Sequence, residues 1–170
     1  SSSLLHEEAI CHKKTVWHKL LNHSKHVSMP INKKMKKVYG LKGTRITLIG
    51  LEFSRYSYRI QLGPQSSLTM DDFEQKTKFI NTLSKKARIN FKIRPYPNME
   101  WLLGSRYADM YGDAILSTNK TMFQDFLQSK MIICSYPQTT FSEAMHSGVP
   151  TILLYTEEYW ELHPDYNELI

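Results

Sequence analysis

A chain of 170 residues, 41% apolar and 12% aromatic, can build one buried core and is short for two. That composition excludes a disordered chain, and no apolar run approaches the roughly 20 residues that a bilayer-spanning helix needs. The net charge of +6 is unevenly placed: residues 1–45 carry ten Lys/Arg against two Glu, and residues 46–170 carry twelve against fourteen acidic residues. The basic character therefore belongs to the first quarter, and a nucleic-acid function would have to rest there. Two cysteines, Cys11 and Cys134, make no disulfide framework, and a reducing cytoplasm is the expected compartment. Neither a signal peptide nor an initiator Met opens the chain, which is expected to be a piece of a longer one.

Residues 4–24 carry a loose apolar stripe (Leu5, Ala9, Val16, Leu20, Leu21) that predicts a helix. Lys33–Lys37 is a basic run, most simply a solvated face, with weak contact to anionic lipid or nucleic acid as the alternative. Residues 1–40 are thus expected to form a basic helical or linker segment, and 41–170 the folded body. Arg45–Leu51 is β-branched and apolar, a buried strand. Residues 52–68 alternate aromatic and Arg residues and end in Gly63-Pro64, which predicts a long loop. Thr69–Lys86 is a helix capped at Thr69 or Asp71, with Phe73, Thr77, Ile80 and Leu83 inward and Lys85, Lys86 and Arg88 at its carboxyl end. Asn90–Arg94 is a second strand, Asn98–Tyr107 a surface helical piece, and Ala114–Leu116 a short strand. A helix capped by Ser117 or Thr118 then runs to about Gln128, with Met122, Phe123, Phe126 and Leu127 inward.

The segment Met131–Tyr155 (MIICSYPQTTFSEAMHSGVPTILLY) is the most informative. An apolar strand ends at Cys134, a polar turn follows, and a helix-like run starts at Thr139 or Thr140. Gly148 stops that run, Pro150 bars its return, and Thr151–Tyr155 is another strand. The alternation predicts an α/β fold, a Rossmann-like parallel sheet flanked by helices, with ligands bound beyond the carboxyl ends of the strands.

Several residues at that edge are candidates for donor binding. Ser135, Gln138, Thr139 and Thr140 enter a helix whose free N–H groups and hydroxyls suit a pyrophosphate, although any helix also needs a cap. Glu143 falls one turn deeper, where it could hold a ribose or complete a capping box; the spacing is the same for both. Arg94, flanked by the rigid Pro95 and Pro97, could clamp a phosphate, or simply end its strand exposed to water. Arg55, Tyr56, Tyr58 and Arg59 could receive a sugar, or simply fasten the loop to the body. His6, His12, His18, His23 and His26 with Cys11 lack the paired spacing of a zinc site, and no metal or cofactor is expected. His146 is expected to be half-buried. No Gly-rich phosphate loop and no GxGxxG is present.

With these residues in place, Ile132–Leu154 (ICSYPQTTFSEAMHSGVPTILL) resembles the nucleotide-sugar-binding half of GT-B-type glycosyltransferases. More narrowly, three features resemble a family of bacterial surface-polysaccharide transferases: Arg94-Pro95-Tyr96-Pro97, the aromatic-Arg loop ending at Gly63-Pro64, and TTFSEAMHSGVPTILLY. The likeness spans about residues 41–170. It implies a metal-independent transferase with a nucleotide-sugar donor, a polysaccharide or glycolipid acceptor, and a second, N-terminal Rossmann-like domain that supplies the acceptor site. It also implies a place in the cytoplasm or at the inner face of the membrane, and no specific nucleic-acid partner. A non-catalytic nucleotide-binding module and a sugar-nucleotide epimerase relative share the same outline.

Overall fold

A computed structural model describes residues 10, 12–16, 26–28, 36–40, 42–56, 67–97, 99–137 and 139–156. The chain divides into two compact units, Ser1–Met35 and Lys36–Ile170. In the first, the strands β1 (Lys14–Val16) and β2 (His26–Ser28) pair in parallel. The helix expected over residues 4–24 is therefore broken at Lys14–Val16 by strand; the β-branched pair Thr15-Val16 favours the extended form.

The second unit contains the sheet. In chain order come β3 (Arg45–Ile49), α1 (Ser67–Thr82), α2 (Lys85–Ile89), β4 (Phe91–Arg94), α3 (Leu103–Tyr111), a 3-10 turn (Asp113–Ile115), α4 (Met122–Gln128), β5 (Ser129–Cys134), α5 (Thr139–Ser147) and β6 (Thr151–Leu153). Four parallel strands lie in the order β4-β3-β5-β6, and Leu116 adds a single parallel bridge to Ile93 on the outer side of β4. From β3 the chain thus builds outward through β4 and Leu116, then returns to lay β5 and β6 on the other side. The order reverses between β3 and β5, which in an open α/β sheet opens a crevice at the carboxyl edge.

Successive side chains of a strand face opposite ways, and the core divides accordingly. Leu48 and Ile133 join Phe73, Ile80, Phe91, Ile93, Leu103, Tyr107 and Ile115 in one apolar cluster with α1, α3 and the 3-10 turn. Ile49, Ile132 and Cys134 join Phe126, Ala144 and Val149 in a second cluster with α4 and α5. The α/β sheet with helices on both faces is the expected architecture.

Local differences have physical causes. Residues 69–86 form two helices, because Ser84 caps α2 by accepting from Ala87 N. Arg88 reaches back to donate to the carbonyls of Asn81 (2.8 Å) and Leu83 (3.4 Å), so the basic residue still serves the carboxyl end of α1. α1 begins at Ser67, which places Thr69 and Asp71 inside its first turns. The surface helix expected near 98–107 is α3, and it buries Leu103 and Tyr107. Ala114–Leu116 is mostly the 3-10 turn rather than a strand. α4 is capped by Thr121, whose side chain and that of Gln124 form a reciprocal capping box. Its inward set includes Asp125 and excludes Leu127, which is 46% exposed. Gly43 passes so close to β5 that a Cβ would stand 2.4 Å from Ser129 backbone atoms; only glycine allows that approach.

A candidate functional site at the strand-order reversal

A cleft of about 490 Å³ opens at the carboxyl edge of the sheet. Ile49 and Gly50 line it after β3, Arg94–Pro97 after β4, Ser117 and Asn119 after the Leu116 bridge, and Tyr136 and Thr140 from the turn into α5. Four chain crossings thus converge on one space. Its floor is tightly built: Gly50 N donates to Arg94 O at 2.9 Å, and a Cβ at Gly50 would lie 3.2 Å from that oxygen.

The amino end of α5 forms one wall. Thr140 sits in the first turn of the helix, and its Oγ1 is 3.1 Å from the Tyr136 hydroxyl. Burial raises the pKa of Tyr136; the Thr140 hydrogen bond opposes this, while Tyr96, Cys134 and Glu143 add to it. The phenol therefore stays protonated, and two hydroxyls and a helix amino end meet at the cleft. Thr139 opens the helix and is exposed. Glu143 lies one turn deeper, half-buried, near enough to act on Tyr136, but does not line the cleft. Ser135 is buried and donates to Ile49 O at 2.9 Å, which ties the end of β5 to β3 beneath the site. Gln138 lies outside the described residues.

Arg94 is half-buried on the opposite wall. Its Nη1 donates to Asn119 O at 3.0 Å and pairs with the Asp125 carboxylate. Among the described residues its Nη2 and Nε take no partner. Asp125 in turn accepts from Ser117 Oγ and, at 2.8 Å, from Asn119 Nδ2. Nothing local in the sequence marks Asp125: a lone acid in a short helix is most simply a solvated residue, and only the fold brings it under the cleft.

Other candidates lie elsewhere. The Arg55 guanidinium sits 5.6 Å from the Tyr56 ring centre and 5.3 Å from that of Trp101, with Arg55 and Tyr56 exposed. Tyr58 and Arg59 fall outside the described residues, as do His6, Cys11, His18 and His23; the side chain of His26 is not described. His12 is exposed, and so is His146, contrary to the half-buried position expected of it. No group of three or more metal-ligating side chains occurs among the described residues. No helix among them is long and apolar enough to cross a membrane.

No curated protein and no solved structure shows significant similarity to the chain. A family profile described as "LIC12162 family transferase" matches residues 1–170, its full length. The parallel α/β sheet with a cleft at its carboxyl edge is thus carried by a chain that belongs to the LIC12162 family of transferases.

Proposed function

We propose that this transferase uses a nucleotide-activated sugar, with the donor's diphosphate resting against the amino end of α5. The observation that carries the reading is the convergence of Arg94, Tyr136 and Thr140 on one cleft where the strand order reverses. A leaving diphosphate gains charge as the bond to the sugar breaks. Preorganised N–H and O–H donors aimed at that charge favour the departure. Thr140, Tyr136 and the first N–H groups of α5 would supply such donors, and Arg94 would add a cation. Glu143, one turn deeper and outside the lining of the cleft, would meet the ribose only where the nucleoside extends past Thr140 along α5. Pro95, Tyr96, Pro97 and Met122 give the rest of the cleft an apolar and aromatic lining suited to a base or sugar face.

Among the described lining residues there is no carboxylate and no imidazole. On this reading a second domain would supply the base that activates the acceptor, and the acceptor would be a polysaccharide or glycolipid at the cytoplasmic membrane face. Calorimetric titration with UDP, CDP and GDP tests the donor site. One of the three is expected to bind, and Thr140→Val and Glu143→Ala are each expected to weaken it by about tenfold, equivalent to roughly 1.4 kcal/mol. Failure of all three to bind the folded protein would overturn the reading.

A further inference from the structure

Asp125 is 2% exposed, on a helix whose other fully buried residue is Phe126. A carboxylate held so far from water needs partners, and every one of its side-chain partners lines the cleft. Oδ2 pairs with Arg94; Oδ1 accepts from Ser117 Oγ and from Asn119 Nδ2 at 2.8 Å. Asn119 closes the ring: its carbonyl accepts from Arg94 Nη1 at 3.0 Å, and its N–H donates to Ser117 Oγ at 3.3 Å. The helix beneath is itself fixed by the Thr121/Gln124 capping box and by Ser129 Oγ donating to Asp125 O at 2.7 Å.

Buried ion pairs add little stability over apolar residues of similar size. What this one does supply is direction. Anchoring Nη1 to a fixed carboxylate and a carbonyl sets the plane of the guanidinium, and among the described residues leaves Nη2 and Nε unengaged. We propose that Asp125 is a positioning residue that fixes Arg94, together with Ser117 and Asn119, in the orientation in which the cleft takes the donor's anionic group. The proposal rests on the reading of the cleft as a nucleotide-sugar site. Asp125 also offsets the charge of Arg94, so the anion is held by directed N–H donors more than by net attraction.

The test is calorimetry on the full chain with whichever of UDP, CDP or GDP binds, for Asp125→Asn, Arg94→Lys and the double variant. Thermal midpoint and circular dichroism are recorded beside each. Asp125→Asn and Arg94→Lys are each expected to weaken binding about tenfold, and the double variant no more than about twofold further, because residues acting as a unit are not additive. Ser117→Ala, a milder change, is expected to weaken binding about two- to fivefold and to show the same non-additivity with Arg94→Lys. If Asp125→Asn does not fold, Ser117→Ala decides.

A role confined to stability would lower the midpoint and leave affinity unchanged. The proposal is overturned if Asp125→Asn and Ser117→Ala bind as tightly as the unaltered protein, or more tightly, while Arg94→Lys weakens. It is also overturned if the losses multiply in the double variants. Those patterns leave the donor-site reading intact. Absence of any binding to the unaltered protein would instead remove both.

Discussion

Cys134 closes β5 at the centre of the sheet, with no exposed surface. Burial disfavours the thiolate and pushes its pKa from 9.0 up to about 12. At pH 8 only roughly one thiol in ten thousand would be ionised, so Cys134 is a packing residue and not a nucleophile. The linkage to stability has a definite sign. A folded-state pKa above the unfolded value means that the folded chain holds its proton where the unfolded chain has lost it. The contribution is complete below about pH 9 and is lost as the pH climbs toward 12. Native protein at pH 8 is therefore expected to leave Cys134 unlabelled by a thiol reagent, as read by mass spectrometry, and to label it once unfolded. Denaturant melts should show stability declining above pH 9, with a shallower decline for Cys134→Ala. Asp72 and Lys76 form the other notable residue-scale feature, an ion pair one helical turn apart on the buried side of α1. Burial lowers the Lys76 pKa and Asp72 opposes that shift.

Elements whose faces follow period and propensity are the ones the sequence made legible. The apolar runs at 45–49, 91–94 and 131–134 are strands, and the Gly148-Val149-Pro150 stop ends α5 where expected. Four candidate donor residues (Arg94, Ser135, Thr139 and Thr140) also lie at the carboxyl edge, because that edge follows from strand order alone; Arg94 and Thr140 line the cleft. What stayed hidden is long-range partnership. Asp125, Asp72 and Lys76 are absent from the sequence-based candidates, because a polar residue carries no local sign of a partner 31 residues away or of a covering element. Glu52 is the sharpest case. The sequence places it in a loop, yet it is buried and its Oε1 accepts from Met99 N at 2.8 Å and Trp101 N at 2.9 Å, while Oε2 accepts from Leu103 N at 3.4 Å. One carboxylate thus caps α3, which has no side-chain cap of its own and enters through Leu102 at φ 57°. Glu52→Ala would leave three N–H groups without their acceptor. The expected cost is about 3 kcal/mol or more, against a smaller loss for Glu52→Gln, which keeps one acceptor oxygen. Urea melts of the two variants check the order; equal stability of Glu52→Ala and the unaltered protein would refute this account of the α3 entry.

At the scale of the whole molecule, the lining residues of the cleft run from Ile49 to Thr140, all within the unit Lys36–Ile170. Of the +8 charge of residues 1–45, half lies in residues 1–35 and half in residues 36–45, and among the described residues no basic residue before Arg94 lines the cleft. A ligand that binds the folded unit and not the unfolded chain must stabilise it by mass action, by about 2.7 kcal/mol at one hundred times Kd. For a unit of this size, that corresponds to a rise in midpoint of roughly 5–11 °C. The best-binding nucleoside diphosphate is expected to produce such a rise in the full chain, and an equal rise in a chain lacking residues 1–35. If residues 1–35 instead contributed to holding the diphosphate, the shortened chain would show a smaller rise at the same ligand concentration, and the rise in the full chain would fall steeply with added salt. Scanning calorimetry of both chains at low and physiological salt separates the two outcomes, since only a site contained within residues 36–170 gives rises that match at both salt levels.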